Sequence, residues 1–164
     1  MNRIIFNISN KLNKGAEYLL MLLMITISLL IFTQVIFRYV FNYSLYWSEE
    51  LGRYTLIWIT FLGASVGFKR KAHVGVDFLY NAFNNRAKMF LTILTDILLL
   101  GLSLILCIYG TRLAKFVHIQ TSAALLIPMS IPFASIAVGG FLTSVHSFSS
   151  LIDNISNLKN RRRK

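Results

Sequence analysis

The chain has 164 residues, of which 55% are hydrophobic, and it carries 17 Lys and Arg against six Asp and Glu, a formal net charge of +11. With a mean hydropathy of +0.62 it is too apolar for an ordinary water-soluble domain. Its charges also stand apart from its apolar residues: Tyr18–Phe37, Tyr54–Phe68 and Ile119–Ile152 contain none, and Met89–Thr111 contains only Asp96. A strongly basic soluble protein would suggest nucleic acid, but this chain has no soluble stretch to present such a patch, so nucleic-acid binding is excluded.

Crossing a hydrocarbon layer of roughly 30 Å takes about 20 helical residues, and the uncharged runs have that length. They lack the polar stripe of an amphipathic surface helix. An all-α membrane protein follows, a single domain over 1–164, with four transmembrane helices at about 16–38, 48–68, 88–111 and 131–151 and short interfacial segments in the loops. Before the first helix stand Arg3, Lys11 and Lys14. That start is like a signal peptide, but its apolar run is too long and lacks a small-x-small exit, so it is expected to stay as the first span. Residues 39–47, beginning just after Arg38, are aromatic and uncharged, which suits a loop at the membrane surface.

The second helix is expected to be capped by Ser48, with Glu49 and Glu50 favoured at its positive end. Residues 69–87 hold four basic side chains, with Lys88 next to them, around His73-Val-Gly-Val-Asp77, a segment that suits a short helix on the headgroups. In 112–130, Pro128 and Pro132 prevent one straight helix, and the fourth span should begin near Pro132. Thirteen of the 17 basic residues lie before the first helix, in the second loop with its flanking Lys88, or after the fourth helix. By the positive-inside rule both termini and that loop are cytoplasmic, and the C-terminal Arg161-Arg-Arg-Lys164 run is an anchor on acidic membrane lipid.

Glu49 and Arg53 are four apart and Glu50 and Arg53 three apart, so either carboxylate can pair with the guanidinium on a helix. Gly63 and Gly67 have the GxxxG spacing that lets a second helix approach closely in lipid. The block reads either as a helix–helix contact with an ion pair at its outer end, or as a dipole-matched helix start followed by incidental glycines. Glu49 and Glu50 diverge by about 100° on a helix and cannot share a substrate, and no nucleophile–base set or phosphate loop accompanies them. The chain is not expected to be an enzyme, nor to hold a metal or cofactor. A haem would need two His at matching depth, whereas His118 and His146 fall toward opposite sides. Cys107, the single cysteine, reads as a small buried hydrophobe. Asp96 is a costly residue inside a span. It serves either ion coupling or, more simply, a hydrogen bond to Gln34, Thr33 or a backbone group of a neighbouring helix.

Phe37-Arg38-Tyr-Val-Phe-Asn42-Tyr-Ser44-Leu45-Tyr-Trp47-Ser48-Glu49-Glu50-Leu51-Gly-Arg53-Tyr54, then Trp58, Phe61-Leu62-Gly63-Ala64 and His73-Val74-Gly75-Val76-Asp77, resemble the DctQ-like small membrane subunit of tripartite ATP-independent periplasmic (TRAP) transporters. Gln120-Thr-Ser122 through Pro128-Met129 and Pro132 are similar to the segment before that family's last helix, with a departure at Ala123 where the family has proline. The resemblance covers about residues 35–145. It implies a four-helix scaffold in a bacterial inner membrane, paired with a large membrane subunit. The large subunit moves substrate and sodium by an elevator-like motion, and a periplasmic substrate-binding protein delivers an organic acid such as a dicarboxylate or sialic acid. The candidate subunit-contact or structural residues are then Arg38, Trp47, Glu49, Glu50, Arg53, Trp58, Gly63, Gly67, His73, Asp96, Pro128 and Pro132. Two other classes remain open: a self-contained ion-coupled exporter using Asp96 or Glu17, and a membrane anchor for an enzyme complex.

Overall fold

The computed structural model describes residues 2–70 and 85–161. Among the described residues four long helices follow in chain order: α1 Asn2–Tyr39, α2 Tyr46–Lys69, α3 Asn85–Phe116 and α4 Ser130–Arg161. Each is long and apolar enough to cross a membrane, so the chain is a multi-pass, all-α membrane protein of four spans. His73 and the short helix expected around it lie outside the described residues. Inside lipid every backbone amide must be paired within its own segment, so runs rich in Ile, Val and Thr are helical here although such residues favour strands in water.

Helix ends differ from those expected. At 1.5 Å per residue the 24 residues of α2 make about 36 Å, close to one bilayer. The 38 residues of α1 and the 32 of α3 and of α4 make about 57 and 48 Å, well beyond the hydrocarbon. Apolar runs mark where lipid begins, not where the helix does. Helix α1 extends back to Asn2 because Ser9, Asn13 and Ala16 form a buried stripe at helical spacing, which gives the polar first turns something to pack on. Ser9 lies against Lys69 of α2 and His146 of α4, so both chain ends sit at one end of the bundle, here the termini end. The 40–45 loop and the 117–129 connection form the loop end.

The interior is made of small polar groups, and the large apolar side chains face out. Ser9, Ser65, Ser103, Ser135, His146 and Ser147 are fully buried, whereas Leu22, Ile25, Leu29 and Phe32 of α1 and Leu94, Leu98, Leu102 and Ile105 of α3 are exposed. Such an inversion is what lipid selects, since an exposed Leu costs nothing there and helices are held by close approach and hydrogen bonds. A modest apolar cluster of Ala16, Leu62, Val66 and Leu142 joins α1, α2 and α4, and Trp58 packs against it.

Helix α4 is the central element and touches the other three. Two adjacent glycines allow this. A Cβ on Gly139 would stand 2.7 Å from Phe61 Cβ on α2, and one on Gly140 would stand 2.7 Å from the Cys107 amide nitrogen on α3. Being about 100° apart around the helix, they admit α2 on one side and α3 on the other. By contrast, a Cβ on Gly63 would meet only Leu20 at 3.9 Å, and one on Gly67 would meet nothing within 4 Å among the described residues. The close approach within the fold is therefore made by glycines other than the GxxxG pair.

Candidate functional site

The loop end is organised by one carboxylate. Asn42, with φ of 50°, turns the chain out of α1, and α2 begins at Tyr46 after Leu45, which supplies no side-chain cap. Ser48 is thus not the N-cap. It lies inside the first turn and donates its hydroxyl back to the Leu45 carbonyl at 2.6 Å, fully buried. One turn on, Glu50 Oε1 accepts the Tyr54 hydroxyl at 2.5 Å, and Oε2 accepts the amides of Ala124 and Leu125 at 2.8 and 2.9 Å. Successive amides aimed at one oxygen make a small anion-binding concavity, and the anion here is the protein's own. The Tyr54 oxygen also lies 3.2 Å from Met129 Sδ, which seats the far side of the same loop.

That loop is a tight hairpin. After the 3-10 turn Val117–Ile119, Thr121 and Pro128 form an antiparallel bridge, Met129 N–H donates to the Gln120 carbonyl, and Ser122 N–H donates to the Ile127 carbonyl. The turn closes through Ala123, Ala124 and Leu125. Leu126 adopts φ of 55°, a left-handed conformation that costs a residue with a Cβ about 1–2 kcal/mol. Its side chain is exposed, so packing does not hold it there, whereas the Glu50 contact one and two residues earlier does. Pro128 ends the hairpin, and Pro132 is buried in the first turn of α4, where its missing amide proton is not needed.

The expected ion pair between Arg53 and a glutamate does not form. Glu50 turns to Tyr54, four residues on, and to backbone amides from a distant loop, while Arg53 and Glu49 are exposed, as are Arg38 and Trp47. Three neutral donors already surround the Glu50 carboxylate, so a guanidinium adds little that solvent does not. An ion pair does form elsewhere, between Arg70 Nε and Glu17 Oε1 at 2.8 Å.

At the termini end the polar contacts are spread over all four helices. Lys69 Nζ donates to Ser9 Oγ at 2.8 Å, and Ser9 Oγ lies 2.8 Å from His146 Nδ1. Because the ammonium can only donate, the serine hydrogen is free to go to Nδ1, which makes the histidine neutral with its proton on Nε2. The Lys69 ammonium also sits 4.8 Å from the centre of the Phe6 ring. Asn13 donates to Glu17 at 2.6 Å, continuing the network toward Arg70. Asp96 is buried, and its Oδ2 accepts Asn154 at 2.8 Å and Ser150 at 3.1 Å, while Ser147 donates to its carbonyl at 2.7 Å. The hydrogen-bond reading of Asp96 holds, but Gln34 and Thr33 are not the partners. They belong to α1, and α3 packs on α4. His118, bonded to Ser130 at 3.0 Å, is at the opposite end from His146.

Buried polar side chains that bond helix to helix, under an apolar exterior, define a membrane protein whose interior is built for holding helices in place. Residues 27–157 match the family described as tripartite ATP-independent periplasmic transporters, DctQ component, and the chain belongs to that family. A Haemophilus influenzae protein assigned as a TRAP transporter small permease is 29% identical over 150 residues, 91% of this chain and 92% of that one. The C4-dicarboxylate TRAP transporter small permease protein DctQ of Vibrio cholerae is 35% identical over 92 residues, 56% of this chain and 40% of its own length. The sialic acid TRAP transporter permease protein SiaT of Haemophilus influenzae is 31% identical over 101 residues, 62% of this chain but only 16% of that much longer protein. The chain is accordingly a TRAP transporter small permease subunit. This is a transport family, in agreement with the expectation that the chain is not an enzyme.

Proposed function

We propose that this subunit is the stationary scaffold of a sodium-driven importer in a bacterial inner membrane. It holds a large elevator-type permease while a periplasmic binding protein delivers an organic acid, of the dicarboxylate or sialic-acid type. The observation that carries this reading is the state of the acid inside the spans: Asp96 is bound by Ser150 and Asn154 of a neighbouring helix. A coupling acid in an independent carrier must exchange protons or ions, and needs polar groups converging at mid-membrane around broken helices. The C4-dicarboxylate and sialic acid named for two relatives favour an anionic organic substrate. SiaT, of which this chain matches only 16%, is long enough to hold a small and a large permease in one chain, which favours a large partner here.

In this reading the termini are cytoplasmic, as the basic-residue asymmetry requires. The loop end, with exposed Arg38, Trp47, Glu49 and Arg53, then faces the periplasm. The α2 face at Gly63 and Gly67 is open to a partner helix, since the fold does not use it for its own close packing. Reconstitution tests the proposal. Liposomes holding this chain alone should show no sodium-driven uptake, and liposomes holding it with the large permease and the loaded binding protein should. Asp96→Asn should leave uptake by the full system close to wild type, because an amide oxygen still accepts from Ser150 or Asn154. Transport by the chain alone, or abolition by Asp96→Asn with normal assembly, would replace the scaffold with a coupling role.

A further inference from the structure

Between α3 and α4, on the loop-end half of the bundle, runs an open groove of about 530 Å³. Ile105, Leu113 and Phe116 of α3 and Ile136 of α4 form its apolar walls. Its depth comes from Gly110, where the helices approach so closely that a Cβ would stand 2.9 Å from the Ala137 amide nitrogen. From Ile105 to Arg112, where the uncharged part of α3 ends, the helix rises about 10 Å, about two-thirds of one leaflet of a hydrocarbon core of roughly 30 Å.

One cation, Arg112, lines the outer part of the groove short of its end at Phe116, and places its guanidinium 5.5 Å from the centre of the Tyr109 ring, itself part of the wall. No ion pair holds Arg112 among the described residues. Lys115, exposed and three residues further on, adds a second positive charge on the same side of α3. About 10 Å of apolar groove below a guanidinium that stands just past the uncharged part of α3 fits the upper part of one phospholipid: acyl chain below, phosphodiester above. Tyr109 favours this arrangement because its ring holds the planar cation against the groove and is itself apolar wall.

We propose that this groove is a resident phospholipid site in the leaflet opposite the termini, with one acyl chain seated along the α3–α4 seam and the phosphodiester bound by Arg112. The lipid would cover the place where α4, the hub of the bundle, meets α3 beside Gly110. The occupant is a lipid and not a partner helix because the one charge in the lining stands at the outer limit of the uncharged part of α3, while the rest of the lining is apolar.

The test extracts the full chain from its membranes in mild detergent and counts retained phospholipid by native mass spectrometry. One tightly held phospholipid per chain is expected. Arg112→Gln should reduce its retention roughly fivefold, the worth of one basic side chain at a charged membrane surface, while Arg112→Lys should keep much of it. Leu113→Trp, which fills the groove without touching the cation, should expel the lipid. Elution as a monodisperse species checks folding of each variant. Equal retention in wild type, Arg112→Gln and Leu113→Trp would overturn the proposal, as would no retained lipid at all. A photo-crosslinking residue at position 113 should label phospholipid in membranes; capture of another protein chain there would make the groove a subunit interface instead.

Discussion

The two ends of the bundle hold their helices by different means. At the loop end a single carboxylate, Glu50, gathers a tyrosine hydroxyl and two backbone amides, and thereby pins a hairpin 74 residues away in sequence. At the termini end the same task is divided among Lys69, Ser9, His146, Asn13, Glu17, Arg70, Asp96, Ser150 and Asn154 on four helices. Concentration and distribution have different consequences. Loss of Glu50 strands two amides and a hydroxyl together, whereas loss of one member at the termini end strands at most one neighbour, as His146 would be by loss of Ser9. The loop end is thus rigid through one residue, which suits a surface that must present a fixed shape. The termini end is tolerant.

The comparison holds only while the helices between the two ends stay seated, so the largest effect is expected from the middle. Gly139→Ala puts a methyl 2.7 Å from Phe61 Cβ and 2.9 Å from the Phe61 carbonyl oxygen, and backbone cannot swing aside as a side chain can. Overpacking of this kind costs about 1–3 kcal/mol and should separate α2 from α4, loosening both ends at once. Gly67→Ala, where nothing among the described residues lies within 4 Å, should leave the isolated subunit unchanged. Unfolding in mixed micelles, followed by circular dichroism, reads the difference. Equal behaviour of the two variants would mean that Gly139–Gly140 does not set the packing.

Next comes Glu50. Glu50→Ala should leave the helices folded but release the hairpin, seen as fast amide exchange at Ala124 and Leu125 and new protease cleavage between 120 and 129. Glu50→Gln should be intermediate, since its one carbonyl oxygen can serve either Tyr54 or the amide pair but not both. Tyr54→Phe removes one donor of three and should be milder still. Protection of Ala124 and Leu125 unchanged in Glu50→Ala would show that the hairpin holds itself, and the contrast between the ends would disappear.

Much of this was legible in the amino-acid sequence, and what was not has physical causes. Four uncharged runs announced four helices, because lipid imposes helix wherever an apolar stretch is long enough. The extensions Asn2–Gly15 and 152–161 were not announced, because beyond the lipid a helix persists only through tertiary contacts such as Ser9 with His146. Glu50 was visible as a candidate, but its partners were misjudged. Arg53 at three residues' distance is a prominent opposite charge, Tyr54 at four is a quieter hydrogen-bond partner, and a backbone amide in a remote loop leaves no trace in residue types. Asp96 was read as hydrogen-bonded, but its partners Ser150 and Asn154 depend on which helix α3 packs against. Gly139–Gly140 did carry a usable signal, since adjacent glycines follow Ala134, Ser135 and Ala137 in one apolar run. The GxxxG spacing at Gly63 and Gly67 drew attention away from it.

The smallest effect is expected at Ser9, although it is fully buried and stands between two titratable side chains. Its hydroxyl lies 2.8 Å from both Lys69 Nζ and His146 Nδ1, so Ser9→Ala removes two hydrogen bonds in one substitution. Inside a bundle in lipid such bonds couple by only about 0.6 kcal/mol on average and at most about 1.7 kcal/mol, because the separated helices also find partners. Lys69 keeps its place over the Phe6 ring, and the His146 ring remains packed at 1% exposure. A double-mutant cycle of Ser9→Ala with His146→Phe isolates the shared bond, since phenylalanine keeps the ring's shape and removes both nitrogens. A coupling near 0.6 kcal/mol is expected, smaller than the effect of Gly139→Ala. Should the coupling exceed about 2 kcal/mol, Ser9 would be to the termini end what Glu50 is to the loop end, a single residue on which the local structure depends. Both ends would then be concentrated, and the tolerance inferred for the termini end would have to be withdrawn.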